Sequence, residues 1–589
     1  TILIVCLVSF ILVGLKIYEE QAREYSPLPE NANREELLDP YRDLRHLPQP
    51  RITAVNLQVD IYPEQHRFKA MGTYRIKNLS SAAIDTLILR KSFDEQTQIQ
   101  IGRYTEKLVS DSLLRMEIHH LKKALMPGDS MSISFAIQST ANTAFQRNTN
   151  VFNNGSLVHD DFLPRLGLPR IGAAVTDLKS HSRNHYQSTD SDRLTFEALV
   201  STSDGQVAFS VGELLASRQD SNRRYFRYRS IEPIKFNFFF ASGNYQLSEA
   251  SQGNQQLKIY HHADHVQVIP SLKSGWKAAV RLNQKIFGLE PAANWNMIEY
   301  PVQLGSANTL ICRSLLLSEE LFAVDPLAEN QIDFPFYIAA HECTHHWFGN
   351  RLMPAAGNGA TMLTESLTEY LSLHAYEQKY GPTAALQLLK MQHQRYFRGR
   401  TNNEHEETLA EVMPVSEYLA YGKGAIAFNA IANVWGKAEF HKFLAGFFDT
   451  YADLAVYPGS DTFLDQLRTA LPDSLHYLER ELFRSSCIHD LQVEGCRVFE
   501  RPGGGFEISV KISDAHKSSN HCPEPGRLTL RIQLLDREGI EISSQTVHPS
   551  AKSTVFRISC SKKPETLILD PNYLILDPQR ENNQIMVSP

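Results

Sequence analysis

The chain has 589 residues, 42% of them hydrophobic and 21% charged, with a formal net charge of −7. That length exceeds what one hydrophobic core supports, so three or four domains are expected. The composition excludes a disordered or low-complexity chain. No Lys/Arg cluster interleaved with aromatics is present, which sets nucleic-acid binding aside.

Residues 2–15 are an uncharged apolar run followed by Lys16. The run is shorter than the roughly 20 residues a full span needs, and because the chain starts with Thr1, residues 1–16 are expected to be the end of a longer transmembrane helix. A buried core helix is the alternative. A basic start and a small-residue cleavage site, the marks of a signal peptide, are absent. Residues 17–50 mix charges with Pro27, Pro29, Pro48 and Pro50 and read as a tether. Lys16 and Arg23 lie among Glu19, Glu20 and Glu24, a balance that leans toward the extracytoplasmic side.

From residue 51 to 255 the pattern has period two, as in Val55, Leu57, Val59, Ile61 and in Met131, Ile133, Phe135, Ile137, which predicts an N-terminal β domain. A last strand at 256–260 gives way to helical spacing. Residues 265–486 read mostly as helices, among them 361–379 and 383–396, the second opening after the Gly381-Pro382 breaker. A catalytic domain is expected over 256–440 and a helical segment over 441–486. Alternation returns after the Pro502-Gly503-Gly504-Gly505 turn, in Phe506, Ile508, Val510, Ile512 and in Leu528, Leu530, Ile532, Leu534, so 487–589 is expected to be a second β domain. The expected fold class is therefore α+β and multidomain. Cys487, Cys496, Cys522 and Cys560 cluster in this last part, which suggests disulfides in an oxidising compartment, with four reduced thiols as the alternative.

The segment that carries chemistry is 334–350, FPFYIAAHECTHHWFGN, in which an apolar helical approach leads into His341-Glu342-Cys343-Thr344-His345. Residues four apart share a helix face, so His341 and His345 can place imidazole nitrogens on one zinc ion. Glu342 beside them can reach the attacking water without being a ligand, the arrangement of a metallopeptidase. In a chain with 22 histidines so short a string can arise by chance, and context decides its meaning. A catalytic zinc takes three protein ligands, and for the third the helix at 361–379 offers both Glu365 and Glu369. The one not used would stand behind a ligand or face solvent. Cys343 is expected to be a packing residue.

These residues resemble the gluzincin metallopeptidases of the aminopeptidase N type. His341, Glu342, His345, Trp347, Phe348, Gly349 and Asn350 follow that family's His-Glu-x-x-His-x-Trp-Phe-Gly-Asn string, and Leu363-Thr364-Glu365 with Tyr370 is similar to its Leu-Asn-Glu and later Tyr. The resemblance implies Zn2+ held by His341, His345 and Glu365, with Glu342 as catalytic base and Glu369 in a helix-surface or supporting role. Tyr421-Gly422-Lys423-Gly424-Ala425 resembles the segment whose tyrosine donates to the oxyanion, which makes Tyr421 the candidate, with Tyr418 nearby. It also implies a β-sandwich-like N-terminal domain, a thermolysin-like α/β catalytic domain and a peptide substrate. Residues 47–53 and 360–367, with the leading apolar run, resemble a bacterial branch fused behind an ABC-transporter permease. That branch implies an inner-membrane protein with an extracytoplasmic peptidase domain and a separate ATPase partner.

Two departures stand out. The interval from His345 to Glu365 holds 19 residues, one more than the family's spacing, which a loop can absorb. Where the family has Gly-Ala-Met-Glu-Asn to hold a peptide's free amino end, this chain has Gly305-Ser306-Ala307-Asn308 and no Glu. A noncatalytic extracytoplasmic module that binds peptides or partners of a transporter is the competing expectation.

Overall fold

Alternating apolar residues do build the N-terminal part. The computed structural model describes residues 37–92, 95–139, 150–168, 184–325, 332–400, 406–454, 456–486, 488–514, 529–549 and 553–587. A seven-stranded sheet runs in the spatial order Glu213–Asp220, Arg223–Arg229, Ser191–Ser203, Arg51–Tyr62, Arg67–Lys77, Ser130–Ser139, Glu95–Ile101. Arg51–Tyr62 pairs parallel with Ser191–Ser203 and antiparallel with Arg67–Lys77. Val55, Leu57, Val59 and Ile61 turn inward together and share one core with Leu87, Leu89 and Leu121 of a four-stranded sheet. This two-layer arrangement is what period-two patterning with one buried face requires.

A second sheet has five strands in the order Gln246–Gln252, Gln255–His261, Ala293–Tyr300, Ser314–Ser318, Thr309–Ile311. It opens at Gln246, ahead of the change in periodicity near 256. Its last three strands occupy 293–318, a stretch that reads as helical from the sequence. The reason is burial on both faces: all five residues of Ser314–Ser318 are buried, and a continuous apolar run carries no period to tell strand from helix.

Helices cover this sheet and extend from it: α1 (Ile269–Phe287), α2 (Phe334–Thr344), α3 (Leu367–Tyr380), α4 (Pro382–Gly399), α5 (Gly424–Trp435), α6 (Lys437–Tyr451), α7 (Ser460–Ala470) and α8 (His476–Phe483). The expected helices at 361–379 and 383–396 correspond to α3 and α4. Single π turns, Met362–Ser366 and Tyr418–Lys423, run directly into α3 and α5. Nearly every residue of α2 is buried, as befits a helix that is apolar all round and surrounded by others.

The C-terminal part is again β, with Leu491–Glu500, Phe506–Asp514 and Ser553–Cys560 in one sheet and Glu541–Val547, Leu530–Leu535, Thr566–Leu569 and Gln584–Met586 in another. Cys496 and Cys560 lie there as free thiols. The expected disulfide cluster is therefore not formed by these two, and Cys487 and Cys522 lie outside the described residues. The expected membrane helix at 1–16, and most of the tether, also lie outside them. Among the described residues no helix is long and apolar enough to cross a membrane.

α1 crosses α2 at a point of backbone contact. A Cβ at Gly275 would stand 2.2 Å from the Phe336 carbonyl oxygen, and backbone cannot step aside as a flexible side chain can. Gly275→Ala is expected to lower stability by about 2 kcal/mol and to weaken zinc retention by displacing α2. Denaturant unfolding and a chelator challenge measure the two effects.

Candidate metal centre and active site

Asp333 fixes where α2 begins. Its carboxylate caps the helix by accepting from the Phe336 backbone N–H at 3.0 Å, with Pro335 in the first turn. The same carboxylate accepts from Ser271 on α1 at 2.8 Å and from Tyr380 on α3 at 2.6 Å. One side chain thus sets the register of α2 against both neighbours. The helix ends at Thr344, and the chain turns through Gly349, whose φ of +109° favours glycine.

At the C-terminal end of this helix, in His341 and the capping His345, the expected ligands meet. Nε2 of His341 and Nε2 of His345 are 3.2 Å apart, and Oε2 of Glu365 lies 3.5 and 3.3 Å from them. Bonds of about 2.0–2.1 Å in a tetrahedral zinc site separate ligand atoms by about 3.3 Å, so the three donors fit one such ion. Each ring is oriented from behind. His341 Nδ1 donates to Glu369 Oε2 at 2.9 Å, and His345 Nδ1 donates to the Phe348 carbonyl at 3.2 Å. With both Nδ1 protons engaged, the Nε2 lone pairs face the shared point.

The geometry separates Glu365 from Glu369. Glu365 sits in the π turn and reaches the two imidazoles, while Glu369, one turn later, is 2% exposed and held between His341 and the Gln392 amide. Its expected helix-surface role is corrected by this burial, because α4 covers the face that α3 alone would leave to solvent. The supporting role stands.

Electrostatics prepare the site for a cation. Burial opposes protonation of His341, yet the carboxylates of Glu365 and Glu369 raise its basicity well above the ordinary imidazole range. Burial likewise opposes ionisation of Glu365, but His345 and His341 hold its carboxyl well below the usual range. Glu342 is 5% exposed, and burial raises its carboxyl, partly offset by the two histidines. A carboxyl raised toward neutrality suits a group that must take and return a proton.

Tyr421 belongs to the second π turn and donates to Glu365 Oε2 at 2.8 Å. Burial and then the Glu365 carboxylate push its phenol far up, so it remains a donor, and the Arg395 guanidinium lies 4.2 Å from its ring centroid. The two π turns are tied together by Ser366 Oγ donating to the Ala420 carbonyl at 2.6 Å. Tyr418 instead packs against Gly399 and Tyr396. Tyr370 pairs with His441 on α6 at 2.9 Å and takes no part in holding the metal. Cys343 is buried, and burial pushes its thiol well up, as expected of a packing residue.

The 305–308 segment is held to the adjacent strand: Ser318 donates from its backbone N–H to Asn308 Oδ1 at 3.0 Å and from Oγ to the Gly305 carbonyl at 2.9 Å. Tyr300 donates to the Ala307 carbonyl and lies within electrostatic reach of Glu342. The segment therefore borders the candidate base and carries no carboxylate of its own.

Two supporting groups escaped sequence reasoning. Behind α2, Glu290 accepts from His346 at 2.9 Å and Arg351 at 2.7 Å, and despite burial these and Arg313 hold its carboxyl at about 2. From the β domain, Lys235 donates to the Gly349 carbonyl at 3.0 Å, Tyr186 to the same oxygen at 3.4 Å, and Arg193 to the carbonyls of Asn350 and Arg351, each at 3.0 Å. Burial brings the Lys235 ammonium down to about 8. The one signal available for it was a lysine inside an apolar run, Pro233-Ile234-Lys235-Phe236.

Residues 313–478, which include all three donors, Glu342 and Tyr421, match the Peptidase family M1 domain. Among solved structures, aminopeptidase A of Legionella pneumophila, crystallised with aspartic acid, is similar at 16% identity with a TM-score of 0.59. The match covers 90% of this chain and 59% of that one, so the chain spans little more than half the length of that relative. An E323A mutant of an M1 zinc metallopeptidase from Deinococcus radiodurans is similar at 14% identity with a TM-score of 0.54, over 74% of this chain and 94% of that one. At such identities the likeness is one of fold. No curated protein is significantly similar in sequence. The matched stretch carries the whole donor set, and two imidazole nitrogens with one carboxylate oxygen are a set that suits zinc.

Because Glu369 both orients His341 and raises its basicity, Glu369→Ala is expected to weaken zinc binding by about 10- to 100-fold. Competition with a chromogenic chelator measures the change, and an unaltered affinity would remove Glu369 from the metal centre.

Proposed function

We propose that the chain is the extracytoplasmic part of a membrane-attached zinc metallopeptidase that hydrolyses peptide bonds, aminopeptidase-like in its catalytic centre but with an altered amine-anchoring segment. The observation that carries this reading is the convergence of His341, His345 and Glu365 on one point, with Glu342 and Tyr421 beside it. The apolar run at 2–15 and the resemblance to permease-fused peptidases support membrane attachment, an inner-membrane location and a separate transporter ATPase partner.

His341, His345 and Glu365 would hold the ion, which when bound makes water more acidic and polarises the scissile carbonyl. Glu342 accepts a proton from the attacking water at its carboxylate and delivers it to the leaving amide nitrogen, base first and acid second. Tyr421, kept protonated by its surroundings, donates to the oxygen on which negative charge develops. With Asn308 where a carboxylate would grip a free amino end, the site places no fixed negative charge there. Cleavage that does not depend on a free amino end follows from that difference.

A noncatalytic binding module is the second reading, and the altered 305–308 segment favours it. Hydrolysis of a mixed peptide library by wild type and by Glu342→Gln, with zinc content measured on both, separates the two. One zinc per chain in each protein and cleavage by wild type alone is the expected result. Zinc without cleavage in wild type supports the binding module, and absence of zinc overturns the centre itself. Tyr421→Phe is expected to lower kcat by about 100- to 1000-fold with zinc content unchanged.

A further inference from the structure

A second cluster of metal-ligating side chains lies away from the centre just described. His265, in the loop after strand Gln255–His261, Glu299, near the end of strand Ala293–Tyr300, and Glu319, in the helical turn Glu319–Phe322, each bring one ligand atom within 4.8 Å of the others. His265 Nδ1 and Glu299 Oε1 are 2.5 Å apart, and the other Glu299 oxygen accepts from the His262 backbone N–H at 2.8 Å. Glu319 Oε2 accepts from the Val302 N–H at 3.2 Å.

Charge sets this cluster apart from an ordinary ion pair. Glu299 is fully buried, and a buried carboxylate needs a compensating positive charge. Among the described residues no Lys or Arg is paired with Glu299 or Glu319, and His265 is the sole ion-pair partner of Glu299. The cluster borders a cavity of about 770 Å³ between the N-terminal β domain and the five-stranded sheet. Asn153, Asn154, Asn244, His262 and Asp264 line this cavity, and no Lys or Arg does. His265 and Glu319 therefore line a polar space with no fixed cation, the buried Glu299 lies against His265 behind them, and asparagine side chains line the same space.

We propose that His265, Glu299 and Glu319 form a second divalent metal site, structural in character, at the junction of the β domain and the catalytic sheet. One imidazole nitrogen with two carboxylate oxygens suits zinc or a similar first-row divalent ion better than calcium or magnesium, which take oxygen ligands. An ion entering among the three donors takes the place of the proton between His265 and Glu299, which leaves to solvent from the part-exposed His265 side of the cluster. It also spreads those two atoms toward the separation of about 3.3 Å that two ligands of one tetrahedral ion have. The His265 side chain is 22% exposed and sits on a loop, with its ring against His262 and Phe322.

The test is zinc stoichiometry on the full chain, stripped with a chelator and then dialysed against Zn2+ alone, with elemental analysis as readout. Wild type is expected to bind two ions per chain, Glu319→Gln and His265→Ala one each, and His341→Ala one. A double variant, Glu319→Gln with His341→Ala, is expected to bind none. Circular dichroism and thermal unfolding check that each variant is folded; Glu319 is partly exposed, so its substitution leaves the core intact. Excess Ca2+ is expected not to displace the second ion. One ion in wild type, or two retained in folded Glu319→Gln, overturns the proposal. Because the His341 variant reads the second site with the first disabled, failure of one assignment is distinguishable from failure of the other.

Discussion

Three carboxylates, Glu342, Glu365 and Glu369, converge on two imidazoles inside the largest apolar core of the molecule, and that concentration of negative charge is the constraint on which the rest depends. In a medium of low polarity such a group is costly unless a cation completes it. The surrounding elements hold these groups in register through buried packing and hydrogen bonds. The helix that carries His341 and ends on His345 is buried on nearly all sides and capped at its start by a carboxylate shared with its neighbours. The helix bearing Glu365 opens with a π turn, a local departure from regular geometry of the sort found at functional positions. A second π turn, bonded to the first, brings in Tyr421.

Seen this way, Glu369 and Glu365 are not redundant acids one turn apart. One completes the coordination set, and the other fixes which nitrogen of His341 carries the proton. Were both to face the ion, nothing would hold the ring. The division of labour requires α4, because the Gln392 amide on that helix turns Glu369 away from solvent and toward His341.

The chemistry was more legible than the architecture that supports it. His341, Glu342 and His345 stand out by spacing, since four residues on a helix make one face, and the apolar approach and the acids that follow gave that string its meaning. Choosing Glu365 over Glu369 could not be read from spacing, because the choice rests on a π turn and on the packing of α4, both tertiary facts. The outer β segments were legible because one wet face preserves alternation. Strands 293–318 were hidden because burial on both faces erases it. Lys235, Tyr186, Arg193 and Glu290 were invisible as site residues. They act through backbone carbonyls or through His346, at sequence separations where no local pattern survives.

The bonds from Lys235, Tyr186 and Arg193 to residues 349–351 have a consequence for how the molecule is assembled during synthesis. The polypeptide emerges from its N-terminus, and early parts fold before later ones are made. A β domain that folds in that order has the Lys235 ammonium already placed when the histidine helix is translated, so that the turn after that helix closes onto a waiting template. The segment carrying the metal-site residues is thus not an autonomous module: excised, it would leave the carbonyls of Gly349 and Asn350 without their donors from the β domain, while that of Arg351 would keep only the Asp453 N–H. A chimera that exchanges the β domain for another would therefore have to keep those donors for the turn after the histidines to close.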